Sequence, residues 1–181
     1  MINFKHLCMA LMLALCTLMV QAQDAELLRN GDFELNSRIE RGTNAATAWN
    51  SVKPVVVIHV DPVSIDNPNY AVICCDTIYN EGFNGIQVVD GVKYDFSVCL
   101  RNLPALKEEA RKEGCKLLII QLVDEQRKAL AEATIMAQSS QWQQYHAVFT
   151  SSGSCPKAKL AIIGIGCQKI AIDKVSLKKH E

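Results

Sequence analysis

The stretch YNEGFNGIQVVDGVKYDFSVCLRN, Tyr79 to Asn102, constrains the fold more than any other part of the chain. Between Tyr94 and Arg101 the residues Tyr94, Phe96, Val98 and Leu100 alternate with Asp95, Ser97, Cys99 and Arg101. Side chains of an extended chain point to opposite faces in turn, so this period of two predicts a strand buried on one side and wetted on the other. Just before it, Asp90-Gly91 is a tight-turn dipeptide, because glycine accepts the positive φ that a short hairpin loop requires. An antiparallel hairpin is predicted at the centre of the chain, and a sheet to hold it.

The flanking segments read the same way. In LLRNGDFE, Asn30-Gly31-Asp32 is a turn that lets Phe33 enter the core while Glu34 points elsewhere. LNSRIERGTNAATAWNS reads as a polar loop ending in a short strand near Trp49. The β-branched run VVVIHV after Pro54 predicts a strand, buried on both faces or lying at a sheet edge, and Tyr70 to Cys75 predict the next. NLPALKEEARKEG has Pro104 near a first helical position, Gly114 just past the end, and Glu108 four residues before Lys112, which predicts a short surface helix. CKLLIIQLVD is apolar on both parities and predicts a central strand, with Ala129 to Met136 pairing back on it. Trp142 to Phe149, Leu160 to Ile165 and Lys169 to Leu177 supply the remaining strands, with SSGSCPKAK as a loop between them. Roughly nine or ten short strands and one inserted helix make an all-β sandwich.

The first residues are of a different kind. Lys5 and His6 precede an apolar run from Leu7 to Val20, and Val20-Gln21-Ala22 is a small-residue cleavage pattern, so residues 1–22 read as a signal peptide. A lipoprotein signal at Cys16 is the competing reading, weakened by the large Leu15 before it. Residues 23–181 are then one exported domain, with periplasm, cell surface and exterior all open. The 19 basic and 19 acidic residues balance, which argues against nucleic acid or an anionic membrane as partner. Beyond the signal stand Cys74, Cys75, Cys99, Cys115, Cys155 and Cys167, with no C-x-x-C spacing to suggest a metal site. Cys99 and Cys115 flank the predicted helical insertion and are expected close enough to bridge.

LLRNGDFE, NPNYAVICC, the central YNEGFNGIQVVDGVKYDFSVCLRN, QWQQYHAVFT and IAIDKVSL follow one another in an order that resembles carbohydrate-binding modules of the family 4/9 (CenC-like) type. The resemblance runs from about Leu27 to Leu177 and is nearest to the module carried by family 51 α-L-arabinofuranosidases. It implies a jelly-roll β-sandwich of the galactose-binding-like type, with the helical insertion as a departure from the usual shorter connection. It also implies a structural calcium at Glu34 and Asp173, whose two carboxylates suit a hard cation that takes several oxygens. The implied function is non-catalytic binding of a plant cell-wall polysaccharide, xylan or arabinan, alongside glycoside hydrolases of the same system.

A saccharide site needs a flat ring for the C–H face of the sugar and amides or carboxylates for its hydroxyls. Tyr79 beside Glu81 and Gln87, with Asn80 and Asn84 between them, is the densest such mixture, and Trp49 is a second stacking candidate. The plainer reading of the same residues is turn stabilisation and core packing. Asp124, Glu125, Glu108, Glu109 and Glu113 belong to a turn and a helix face and do not form the facing pair that glycoside hydrolysis requires. A protein-interaction sandwich that has lost sugar binding is the main alternative, and an enzyme the least favoured.

Overall fold

The computed structural model describes residues 25–180 except 41–42, 52–55, 62–66, 104–116 and 166–168. The segment expected to be a signal peptide, the segment from Pro104 expected to be helical, and Cys115 therefore lie outside the described residues.

The described strands, in chain order, are β1 (Asn36–Glu40), β2 (Thr43–Ala46), β3 (Trp49–Ser51), β4 (Ile58–Val60), β5 (Asn69–Ile73), β6 (Thr77–Asn80), β7 (Ile86–Val88), β8 (Lys93–Asn102), β9 (Leu117–Val123), β10 (Ala129–Met136), β11 (Gln143–Thr150), β12 (Cys155–Ile165) and β13 (Ile170–Lys179). A six-stranded sheet has the order β10-β9-β12-β6-β3, with β7 also paired to β12. A five-stranded sheet has the order β11-β8-β13-β5-β4, and β1 pairs with β2 alone. The strand pairings are antiparallel, and no helix occurs among the described residues, so the fold is an all-β sandwich.

The period-two pattern of β8 does what it predicts. Tyr94, Phe96, Val98 and Leu100 are buried, and Asp95, Ser97, Cys99 and Arg101 are part-exposed on the outer face of the five-stranded sheet. They meet Leu118, Ile120 and Leu122 of β9 and Leu160 and Ile162 of β12 in one core between the sheets. Removal of this apolar surface from water is the main force holding the sheets together. The beginning of the sandwich joins its end: Leu27 N–H donates to the Leu177 carbonyl at 2.9 Å, and Glu26 accepts from Leu177 N–H and Ser176 Oγ.

Two elements differ from the sequence reading. SSGSCPKAK is not all loop, because β12 begins at Cys155, where it pairs with Val88 of β7. The polar segment before Trp49 contains the β1–β2 hairpin, whose backbone ladder needs no apolar pattern to form. VVVIHV supplies β4 at the edge of its sheet, one of the two placements expected for it, with Ile58 buried and His59 and Val60 exposed.

The N-G-D-F turn is a core plug. Asn30 has φ 57° and Phe33 φ 57°. Asn30 Nδ2 donates to the carbonyls of Leu35 and Thr47 at 2.7 and 2.8 Å, and Asn30 Oδ1 accepts from Leu35 N–H at 2.8 Å. This fixes Phe33 in the core against Trp49, ring centroids 5.0 Å apart.

Candidate functional site

Two surface regions gather polar and aromatic side chains. The first lies on the outer face of the five-stranded sheet, where the outward parity of three strands converges. His59 on β4 is the cross-strand partner of Tyr70 on β5, and their rings stack with centroids 5.5 Å apart. Trp142, just before β11, meets Tyr70 edge-on at 5.7 Å. The Arg101 guanidinium sits between them, 4.5 Å from the Trp142 ring centroid and 5.3 Å from that of Tyr70, a cation–π arrangement that holds both rings in place. Asp61 anchors the cluster, accepting from Arg101 at 3.3 Å and from Trp142 Nε1 at 3.3 Å. Burial, reinforced by the charge of Lys169, holds His59 below its ordinary value, so its ring is neutral at pH 7. Beside these residues is a cleft of about 280 Å³ walled by Asp61, Asn69, Tyr70, Trp142, Cys99 and Asp173. Burial pushes the Cys99 thiol up, so it is protonated at neutral pH.

Of the two carboxylates singled out as calcium ligands, Asp173 is at the cleft wall and Glu34 is bonded to Asn69 of that wall. Glu34 Oε2 accepts from Asn69 Nδ2 at 2.6 Å and Oε1 from Asn69 N–H at 3.1 Å. Asp173 accepts from Asn67 Nδ2 and from Lys174 N–H, both at 2.6 Å. Asp173 is only 7% exposed, and burial, with the nearby Asp32 and Glu34 carboxylates, raises it to about 7 against the pull of Lys174. The chain thus brings Glu34 and Asp173 into one electrostatic neighbourhood. Among the described residues no group of three or more His, Cys, Asp or Glu side chains is arranged as a metal cage.

From about pH 4 to about 7 the folded state holds a proton on Asp173 that the unfolded chain has released, so stability falls as pH rises through that window. With a chelator present, the melting temperature at about pH 5 is expected to exceed that at about pH 8, by an amount corresponding to roughly 2–4 kcal/mol. Asp173→Asn should flatten that slope, and an unchanged slope in the variant would assign the effect elsewhere.

The second region is the loop after β6. Asn80 is fully buried, accepts from Gly82 N–H at 2.8 Å, and donates to the Arg29 carbonyl at 2.8 Å. Gly85 N–H closes the turn onto the Glu81 carbonyl at 2.8 Å. At Gly82, with φ 64°, a Cβ would lie 2.5 Å from the Leu27 carbonyl oxygen, so the loop is pressed against the chain before β1. The result is a rigid rim around an open cleft of about 600 Å³, walled by Glu81, Phe83, Asn84, Arg29, Lys157 and Lys159 among others.

Of the sequence-predicted residues, Asp173 and Glu81 each line one of these clefts, and Trp49, Tyr79 and Gln87 line neither. Trp49 is corrected: it is 3% exposed, lies in the core, and donates through Nε1 to the Asn30 carbonyl at 2.8 Å, so no ring face is open to a sugar. Tyr79 stands half-buried on the outer face of the six-stranded sheet opposite Asn50, with the Arg127 guanidinium 5.5 Å from its centroid. Glu81 is exposed in the loop cleft and accepts from Lys159 Nζ at 2.6 Å. Gln87 is exposed on β7 and lines neither cleft. Cys99 is a free thiol, and the Cys99–Cys115 pairing falls on a residue outside those described. Tyr70 and Trp142 are among the aromatic stacking candidates that the sequence offers, Trp142 being expected in the core, but their meeting with His59 and Arg101 on one outer face is not legible in it. Arg101 on the polar parity of β8 was the available signal, but the strands that meet it come from distant parts of the chain.

No family model matches the chain. Over 156 residues it is 30% identical to an extracellular exo-α-L-arabinofuranosidase of Streptomyces chartreusis, an alignment taking in 84% of this chain and 17% of that protein. The chain thus spans about a sixth of the curated relative it matches. Among solved structures it resembles an arabinose-bound GH51 α-L-arabinofuranosidase (TM-score 0.68, 22% identity, 87% of this chain and 27% of that one). It also resembles a Stig cyclase from Fischerella (TM-score 0.58, 13% identity, 87% and 98%). A third is the CBM22-1–GH10 fragment of a Clostridium thermocellum xylanase (TM-score 0.51, 14% identity, 87% and 29%). These structural likenesses establish a shared fold, and the cyclase among them means that the fold alone does not select a function.

Proposed function

We propose that residues 23–181 form a non-catalytic carbohydrate-binding module, a jelly roll of the galactose-binding-like type, exported by the signal at residues 1–22. It holds a plant cell-wall polysaccharide of arabinan or xylan type on the outer face of the five-stranded sheet. The observation that carries this reading is the ring pair Tyr70 and Trp142, locked around Arg101 and Asp61 beside a cleft edged with amides and carboxylates. Rigid aromatic planes bind the C–H faces of sugar rings with little loss of side-chain freedom, and fixed amides and acids select the hydroxyls. The arabinofuranosidase and xylanase likenesses support the ligand class and suggest glycoside hydrolases as companions.

Calcium belongs to the same reading. The hard oxygens of Glu34 and Asp173 suit that ion; burial first, and then the Asp32 and Glu34 charges, penalise the ionised Asp173, a cost that a divalent cation would offset. Bound calcium supplies charge neutralisation and cross-linking of the turn after Gly31 to β13. Added calcium should therefore raise the melting temperature more at about pH 8 than at about pH 5, since it competes with the proton for Asp173.

The decisive experiment is affinity gel electrophoresis of the mature chain in arabinan, arabinoxylan and xylan, with calcium and with a chelator. Retardation in at least one gel is expected, and free mobility in every gel would overturn the reading. One observation favours a catalytic alternative: Asp61, ion-paired, and Asp173, raised to about 7, wall a single cleft, and unlike carboxyls can divide acid and base roles. Release of sugar from arabinan or an aryl arabinofuranoside by the wild type, absent in Asp173→Asn, would replace binding with hydrolysis.

A further inference from the structure

The geometry points to a second saccharide site in the loop cleft, selective for acidic sugars, in which Arg29 and Lys157 take the carboxylate of a uronic acid and Phe83 stacks on its ring. Phe83 is 66% exposed, yet it does not sit on a loose loop. Its turn is held from beneath by the buried Asn80 amide, by the Glu81–Gly85 backbone bond and by the close approach of Gly82 to Leu27. An apolar ring displayed in water on a backbone that cannot fold it away is preorganised for a partner with an apolar face.

The charges around it choose that partner. Three cations, Arg29, Lys157 and Lys159, meet two carboxylates, Glu81 and Glu125, at the cleft wall. Lys159 is committed to Glu81 at 2.6 Å, whereas among the described residues Arg29 and Lys157 enter no salt bridge. Arg29 is placed by the same Asn80 amide that fixes the loop, through its carbonyl at 2.8 Å and its N–H at 3.4 Å. With its backbone so fixed, the exposed Arg29 lines the cleft, and its planar guanidinium is suited to a two-point bond with a carboxylate, with Lys157 as a second point charge. Asn50 and Asn84 at the wall provide amide donors and acceptors for ring hydroxyls. The cleft lies at the loops beside the six-stranded sheet, so it shares no lining residue with the Trp142 cleft, and the two sites act independently.

The test is calorimetric titration of the full mature chain with tetragalacturonate and with its methyl ester, which keeps the sugar and removes the charge. The acid is expected to bind about tenfold more tightly than the ester, with an affinity that falls as salt rises. Arg29→Gln with Lys157→Gln should remove that preference, Phe83→Ala should weaken both ligands, and Trp142→Ala should leave both unchanged. All the substituted residues have exposed or half-exposed side chains, so an unchanged melting temperature establishes that each variant is folded. Equal affinity for acid and ester, binding of neither, or loss of tetragalacturonate binding in Trp142→Ala would each overturn the assignment.

Discussion

Gly31→Ala is expected to destabilise the protein by about 4 kcal/mol or more, a large share of the 5–15 kcal/mol that holds a typical domain together. A Cβ at this position would lie 1.8 Å from the Val175 carbonyl oxygen and 3.0 Å from its carbon. Both atoms are backbone, so no side chain can swing aside. Val175 N–H also donates to the Gly31 carbonyl at 2.8 Å, at the bulge where the register of β13 against β8 shifts between Asp173 and Ser176. Lys174 at φ 49° marks the bend. Relieving the overlap would break that bond, loosen the bulge and shift Asp173 away from Glu34. Urea unfolding measures the effect, with Gly91→Ala as control: there a Cβ meets nothing within 4 Å, and only the φ of 76° is penalised, at about 1 kcal/mol. A loss below about 1 kcal/mol at Gly31 would mean that the turn moves freely against β13.

Trp142→Ala is expected to weaken polysaccharide binding by at least about tenfold, the usual cost of removing a central aromatic anchor. The substitution takes away the largest ring of the cleft. It also strips Arg101 of its nearest π-face at 4.5 Å and Asp61 of the Nε1 donor at 3.3 Å. Because Trp142 is half-buried on an outer face, the fold should survive, with a stability change near 1 kcal/mol. Trp142→Phe keeps a stacking plane and should retain most of the affinity. Isothermal titration with arabino- and xylo-oligosaccharides, paired with a melting curve, separates the two effects. Wild-type affinity in a folded Trp142→Ala protein would remove the Tyr70–Trp142 surface from the binding function.

The two tryptophans illustrate how much of the site was legible. Both precede or open short strands in polar surroundings, and nothing local distinguishes them. Trp49 became core because Asn30, nineteen residues earlier, presents its carbonyl to the indole N–H and Phe33 packs on the ring. Trp142 became surface because β11 lies at the sheet edge beside β8, where Arg101 and Asp61 arrive from elsewhere in the chain. The segment after Asn80 was legible as a polar, glycine-containing loop, whereas Tyr79 and Asn80, expected in that loop, end β6. The loop's role as a rigid rim was not legible, since that depends on where Arg29 and Leu27 cross it.

Local chemistry was enough to determine the element type and the sandwich class. Alternation in β8, apolarity on both parities in β9 and the turn dipeptides act over a few residues, and backbone sterics and burial translate them directly. Which outward-facing residues become neighbours was decided only in three dimensions. An antiparallel register joins Tyr70 to His59, and sheet order then brings Arg101 and Trp142 beside them, across separations in sequence that no period of two or 3.6 encodes.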